Sequence, residues 1–334
     1  MATGSKLSLD AARNLARRVF LASGVKDDIA TRVADALVAA EADGQKGHGL
    51  SRVVSYAAQA RSGKVDGRAM PIVTRPAPGI VAIDAAGGFA YPAVDLAIAA
   101  LPEVARMQGI ALAGIRNSHH AGQLCAHVEA LAEAGLVAIM VANTPKAMAP
   151  WGGAQAVFGT NPIAFACPAP DGPPMVIDMS LSEVARGKIV AASKTGDAIP
   201  EGWAKDAEGR DTTDPVAALQ GTMSPAGGAK GAVLALMVEI LCAPLIGANL
   251  SADASSFFEA EGETPGVGQT IIVIDPNALG TPGFLERIGT LFQIILSEDG
   301  TRIPGQSRIA RRAAADADGL TVAPAILAEI EGLV

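Results

Sequence analysis

Aromatic side chains are scarce in this 334-residue chain, at 4% with two tryptophans and two tyrosines, and alanine, glycine and valine carry the composition instead. That balance is usual in tightly packed α/β enzymes. Cysteine is scarcer still: Cys125, Cys167 and Cys242 are odd in number, far apart and set in apolar sequence. They argue against a disulfide framework and predict buried thiols in a reducing compartment. No run of lysine and arginine is interleaved with aromatics and the net charge is −8, so nucleic acid is not an expected partner. Long apolar runs are missing too. The most apolar, Gly231 to Leu245, is interrupted by Glu239 and Pro244 and is too short for a bilayer, so no membrane partner is expected. The first twenty residues lack both a continuous apolar core and a small-residue cleavage site, which predicts no signal peptide and a cytoplasmic enzyme. No G-x-G-x-x-G follows a predicted strand, which counts against a conventional dinucleotide-binding fold.

What is present centres on Ala111 to Asn143. An apolar run to Ile115 is followed by Arg116-Asn117-Ser118-His119-His120, then Gly122, a helix-period segment and a second apolar run. This reads as strand, turn, helix and strand, and the turn holds half of the four histidines. Imidazole is the side chain best suited to moving a proton near neutral pH. Upstream, the spacing predicts a helix capped by Ser8 and ended by Gly24, a second from Asp27 to Ala42 and a third through Ala60. Strands are predicted at 80–83, 110–115, 163–167, 175–179 and 271–274, and helices at 92–107, 181–192, 231 onward and 282–296. Residues 195–225 and 248–268 read as long loops, of the kind that cover a site or sit in an interface. Half the residues are hydrophobic and the length suffices for two domains, which the absence of clear linkers suggests are interleaved.

His48 and Arg52 lie four apart, so on a helical start they share a face, where the arginine can fork a carboxylate beside an imidazole. A capping histidine with a solvated arginine is the plainer reading of that spacing. His119 and His120 should diverge, one toward a site and one into packing. His127, seven beyond His120, raises a metal site only weakly, because no acidic residue completes a usual spacing; no metal is expected. Pro225 to Gly231, with Lys230, opens a helix and could face an anion, and Phe158 to Pro162 is a tight polar turn.

Taken in order, GHGLSR (47–52), NSHHAG (117–122), APWGG (149–153), GTNPIAFA (159–166), VIDMSLSEVARGKI (176–189), IPEGWAKDAEGRDTTDP (199–215) and GGAKG (227–231) resemble the malate/L-lactate dehydrogenase-like family of NAD(P)-dependent oxidoreductases. The resemblance implies an α/β (α+β), non-Rossmann fold with a largely antiparallel cofactor-binding sheet in 76–299. A helical domain from 1–75 and 300–334 completes it, in a homodimer. It implies His120 as general acid/base and His48 and Arg52 at the substrate, with Arg52 binding its carboxylate and Thr160 and Lys188 on the substrate side. It places NAD or NADP against His120, Ala121, Gly122, Gln123, Leu124, Thr144, Asp178, Met179, Ser180, Lys230, Arg302, Gly305 and Arg308.

Within that family, reductases of cyclic imines such as pyrroline- and piperideine-2-carboxylate tend to carry serine before the first histidine and aspartate at the position of Lys188. Gly47 and Lys188 here resemble members acting on 2-hydroxy acids such as malate, lactate or sulfolactate, so that is the expected substrate class, with cyclic ketimines second and a non-catalytic binding protein third. Some relatives place an arginine shortly before Gly266; Pro265 stands there instead.

Overall fold

The computed structural model describes residues 4–334. The chain opens with a short strand β1 (Ser5–Leu7) and helices α1 (Leu9–Ala22), α2 (Asp27–Ala42) and α3 (Val53–Ser62). Ser8 caps α1 by accepting from the Ala11 amide at 3.2 Å. Next come β2 (Ile72–Ala77), β3 (Ile80–Asp84), α4 (Ala90–Gln108), β4 (Ile110–Ser118), α5 (Cys125–Glu133) and β5 (Val137–Ala142). The middle of the chain supplies β6 (Ile163–Cys167), β7 (Met175–Met179), α6 (Arg186–Thr195), β8 (Ala204–Lys205), β9 (Asp211–Thr212), α7 (Pro215–Gln220) and β10 (Thr222–Met223). It finishes with α8 (Ala229–Cys242), β11 (Val267–Ile274), α9 (Phe284–Leu296), α10 (Gln306–Asp318), β12 (Leu320–Val322) and α11 (Pro324–Glu331).

Seven strands form one mixed sheet in the order β2-β3-β4-β11-β5-β6-β7. Only β3 and β4 run parallel, joined by the α4 crossover that such a pair requires; every other pairing is antiparallel. Small residues on the inner faces, Ala113, Ala138, Ala164 and Ala166 among them, let α4 and α5 pack closely on the sheet, with Leu101, Val104, Val128 and Leu131 filling the space between. A second core joins the chain ends. Residues of α1, α2 and α3 pack with Leu320, Val322 and Ile330, and β1 pairs with β12. No helix among the described residues is long and apolar enough to cross a membrane.

Four features differ from the sequence reading. β4 runs on to Ser118, so Arg116-Asn117-Ser118 is strand, paired to β3 through Arg116 and to β11 at Ser118. β2, exposed along its length, gave no burial pattern to read. The helix expected from Leu181 begins only at Arg186, because the backbone before it is tied elsewhere: the Leu181 amide donates to the Thr160 carbonyl and the Glu183 amide to that of Ser224. The 195–225 loop holds α7 and a three-stranded sheet in the order β10-β8-β9.

Candidate active site

The register of the large sheet gathers the polar motifs at one edge. β4, β5 and β7 all run toward it and β11 and β6 start from it: Val267 lies opposite Ser118, Gln269 opposite Ala142, and Ile163 opposite both Val141 and Met179. The turn carrying His119 and His120, Thr144, Thr160 and Ser180 therefore converge although they are scattered over sixty residues.

Against this edge stands the loop between α2 and α3. Its two 3-10 turns, Lys46–His48 and Leu50–Arg52, are broken at Gly49, so His48 and Arg52 are not on a continuous helix as the spacing suggested. The break is enforced by Glu41, whose carboxylate accepts from the Leu50 amide at 3.0 Å and would meet any Cβ at position 49. Arg52 curls back so that Nε donates to the Gly47 carbonyl at 2.7 Å.

This folding brings His48 and His120 together, rings stacked with centroids 5.1 Å apart and 20° between planes. His119 and His120 do diverge. His119 is fully buried, donates from Nε2 to Gln59 Oε1 at 2.9 Å, and packs against Phe89, Tyr56 and Phe257. Nδ1 of His120 lies 2.5 Å from the Tyr56 hydroxyl. Nδ1 of His48 is buried without a partner. Burial and the Arg52 charge push His48 down to about 4 and, with Lys64 adding to it, His119 down to about 3. Burial, Arg52 and the two neighbouring imidazoles hold His120 well below the usual histidine range. Each is neutral at pH 7. His127 lies on α5, whereas His120 precedes it, so the two share no helix face; His127 donates to the Ala121 carbonyl at 2.9 Å and holds the turn. Among the described residues no group of three histidine, cysteine or acidic side chains is placed to hold a metal ion.

The 248–268 loop covers the histidines. Phe257 is buried 5.0 Å from His120 and 5.4 Å from His119, and the half-exposed Phe258 ring lies 4.5 Å beneath the Arg52 guanidinium. Lys64 pins this loop by donating to the carbonyls of Ser256, Glu259 and Glu261 at 2.7, 3.0 and 3.1 Å, and Gln59 donates to that of Glu259. Sequence reading passed over Tyr56, Gln59 and Lys64. Their partners lie 60 to 200 residues away, and only the position of Tyr56 four residues after Arg52 offered a signal.

Beside the histidines lies a second, more open patch. The Thr144 hydroxyl accepts from the Thr160 amide at 3.0 Å, and a Cβ at Gly159 would strike Thr144 at 2.2 Å. Ser182 bridges to Pro225, and the Ala226 amide donates to Leu181 at 2.9 Å, which sets the start of α8 beside Ser180. Gly227 and Gly228 both have positive φ, no side chain caps α8, and Lys230 is exposed in its first turn. Gly305 lies against the backbone of Val176 in β7, and Arg302 is exposed nearby in sequence.

Three residues predicted at the cofactor, Asp178, Arg308 and Gln123, are engaged inside the protein. The Asp178 carboxylate accepts from the Cys125 amide at 2.8 Å and so anchors the start of α5. Arg308 is buried, forked on Glu129 at 2.6 and 2.8 Å and bonded to Asp43 at 3.1 Å, with Arg312 completing the cluster. Gln123 donates to Asp43 at 3.0 Å. Lys188 is exposed with its ammonium 5.8 Å from the Trp203 ring, and no hydrogen bond among the described residues ties it to His48, Arg52 or His120.

The profile of the malate/L-lactate dehydrogenase family matches residues 7–331. The chain belongs to that family. It is accordingly an enzyme of the dehydrogenase and reductase class. It is 50% identical over 306 residues to the (2R)-3-sulfolactate dehydrogenase (NADP(+)) of Chromohalobacter salexigens, covering 92% of this chain and 91% of that one. It is 41% identical to the Δ1-pyrroline-2-carboxylate/Δ1-piperideine-2-carboxylate reductase of Pseudomonas aeruginosa, over 98% of this chain and 99% of its relative. The solved Δ1-piperideine-2-carboxylate reductase of Pseudomonas syringae superposes with a TM-score of 0.93 at 37% identity, covering 99% of this chain and all of the other.

Proposed function

We propose that this enzyme transfers hydride between NADP(H) or NAD(H) and C2 of a short 2-hydroxy or 2-oxo acid, of the sulfolactate, malate or lactate type. The observation that carries the reading is the stacked pair of His48 and His120 beside Arg52, whose terminal nitrogens remain available to fork a carboxylate while Nε is held by Gly47. The substrate class follows the 50% identical sulfolactate dehydrogenase, an NADP(+) enzyme and so in favour of NADP here, together with Gly47 and Lys188.

The residues suit a nicotinamide dinucleotide. The uncapped start of α8, two glycines with positive φ and the exposed Lys230 suit phosphate, and Thr144, Met179, Ser180 and the 121–124 turn line the adjoining edge. Arg302 and Gly305 are assigned to the same cofactor, with Asp178 and Arg308 supporting the turn from inside the protein. When bound, the nicotinamide gives or takes the hydride. The chain's own residues do the rest. Arg52 fixes the carboxylate and hence the face of C2 presented; Thr160 and Lys188 are assigned to the far end of the substrate. His120 takes the hydroxyl proton in oxidation and, when charged, returns one in reduction. Phe257 keeps water from the rings.

A homodimer is part of this proposal. Helix α9 buries none of its residues within the chain although Leu285, Leu291, Ile294 and Leu296 line it, and α8 exposes Val233, Leu234, Leu236, Met237 and Ile240. Light scattering should give twice the chain mass. The three buried thiols fit a cytoplasmic setting.

Cyclic ketimine reduction is the second reading, favoured by the reductase relatives at 41% identity and by the TM-score of 0.93. One panel separates them: NADH and NADPH, each with pyruvate, oxaloacetate, sulfopyruvate and the two cyclic imines. Faster turnover of the imines than of every oxo acid would replace the first reading with the second. Failure to bind either cofactor would leave a non-catalytic protein.

A further inference from the structure

Building on the assignment of His120 as the proton carrier, we propose that Tyr56 is a positioning residue that occupies Nδ1 of His120 in every protonation state, leaving Nε2 as the only nitrogen that works on substrate. The Tyr56 hydroxyl lies 2.5 Å from Nδ1 and both side chains are buried. The Tyr91 hydroxyl is a second polar neighbour of that oxygen, but the contact to Nδ1 is the one with good hydrogen-bond geometry. The ring cannot swing away: it sits edge-on to His119 at 5.0 Å and tilted against Phe89 at 5.6 Å. Tyr56 also lies one helical turn beyond Arg52, so the group that grips the acid and the group that aims the imidazole descend from the same short segment.

A hydroxyl suits this position better than a carboxylate. It donates to a bare Nδ1 and accepts from a protonated one, so it serves the ring in either state without adding a buried charge. In reduction the Nε2–H bond of the charged ring breaks and an O–H bond forms on the product alkoxide as hydride reaches carbon. The ring is left neutral with its remaining proton, on Nδ1, donated to Tyr56, and Nε2 is reloaded from solvent after release. In oxidation the same steps run backward. Accepting from a charged ring is the stronger of these hydrogen bonds, so Tyr56 favours the imidazolium over the neutral form.

Tyr56→Phe keeps the ring and its packing and removes only the oxygen. In the reductive direction the fall of kcat/KM with rising pH should move to lower pH by about half a unit to one unit, and kcat at pH 7 should drop about tenfold, with cofactor affinity within twofold of wild type. An unmoved pH profile with wild-type kcat would overturn the proposal. Should that variant fail to fold, 3-fluorotyrosine incorporated into Tyr91→Phe chains labels Tyr56 alone. Because the Tyr91 hydroxyl neighbours that of Tyr56, unlabelled Tyr91→Phe is the reference for this comparison. The fluorinated oxygen is a weaker acceptor, so the same limb should move down again, and an unmoved limb would count against the role. His120→Gln separates this idea from the one beneath it. An inactive H120Q beside an unaltered Y56F removes only the Tyr56 role, whereas an active H120Q removes the proton-carrier assignment itself.

Discussion

Two polar clusters lie buried within reach of the α2–α3 loop, and they are built on opposite terms. Asp43, Glu129, Arg308 and Arg312 bring two negative and two positive charges together, and each is bonded to at least one opposite partner. The histidine cluster holds no bonded carboxylate and leaves Nδ1 of both His48 and His119 without partners. A closed set of charges has no capacity left for a ligand; it locks α2, α5 and α10 in place. An orphaned nitrogen is costly to keep, and at His48, stacked on His120 beside Arg52, that cost makes sense if a substrate completes it, whereas His119 is held by Gln59 and the surrounding rings. The comparison separates buried polar groups that are saturated by one another from groups that are left open.

The largest effect should come from breaking the closed cluster. Glu129→Ala leaves Arg308 half paired in the interior and should destabilise the fold by about 3–5 kcal/mol, read by denaturant unfolding, while kcat per folded molecule changes little. A large loss of kcat with normal stability would put Glu129 on the chemical side of the comparison. Arg52→Lys should raise the Michaelis constant for the acid about 10- to 100-fold, since a point charge replaces a fork; an unchanged constant would remove the carboxylate role. Phe258→Ala should change that constant only a fewfold, as expected for a half-exposed cation–π contact of about 0.5–1 kcal/mol.

Acid should distinguish the clusters as well. His48 and His119 fall to about 4 and about 3 in the folded chain against an ordinary 6.5, so the unfolded chain binds more protons between those values. Their contribution to stability is complete above pH 6.5 and is lost as pH falls through 4 and 3. The carboxylates of Asp43 and Glu129 are held low by their arginines and give way in the acid range below the ordinary carboxylate values. Melting temperature should therefore begin to fall below pH 6.5, before the carboxylates of the charged cluster give way, and replacing His119 with Gln should flatten that first decline.

Much of this was legible in the sequence. Periodicity located α1, α2, β6 and β7 within a residue or two, because each is half-buried with a clear apolar face. The motifs also named His48, Arg52 and His120. What escaped reading depends on contacts across long stretches of chain: β2 is an exposed edge strand without alternation, and Lys64 is an ordinary loop lysine until the carbonyls of 256–261 fold around it. The resemblance put Arg308 among cofactor residues, and only geometry reveals that its guanidinium is given to Glu129 and Asp43. Gly49 broke the helix that would have set His48 and Arg52 on one face, since Glu41 leaves no room for a Cβ there.

Adjacent histidines offer the sharpest test of the central claim, because His119 and His120 share a turn and an aromatic pocket but are assigned different roles. His120→Gln and His119→Gln should be compared by kcat and by NADPH binding. The account predicts a loss of about 10²- to 10⁴-fold in kcat for H120Q with cofactor affinity nearly intact, and for H119Q a lower melting temperature with most of kcat retained. Equal turnover in the two variants, or a larger loss in H119Q, would contradict it.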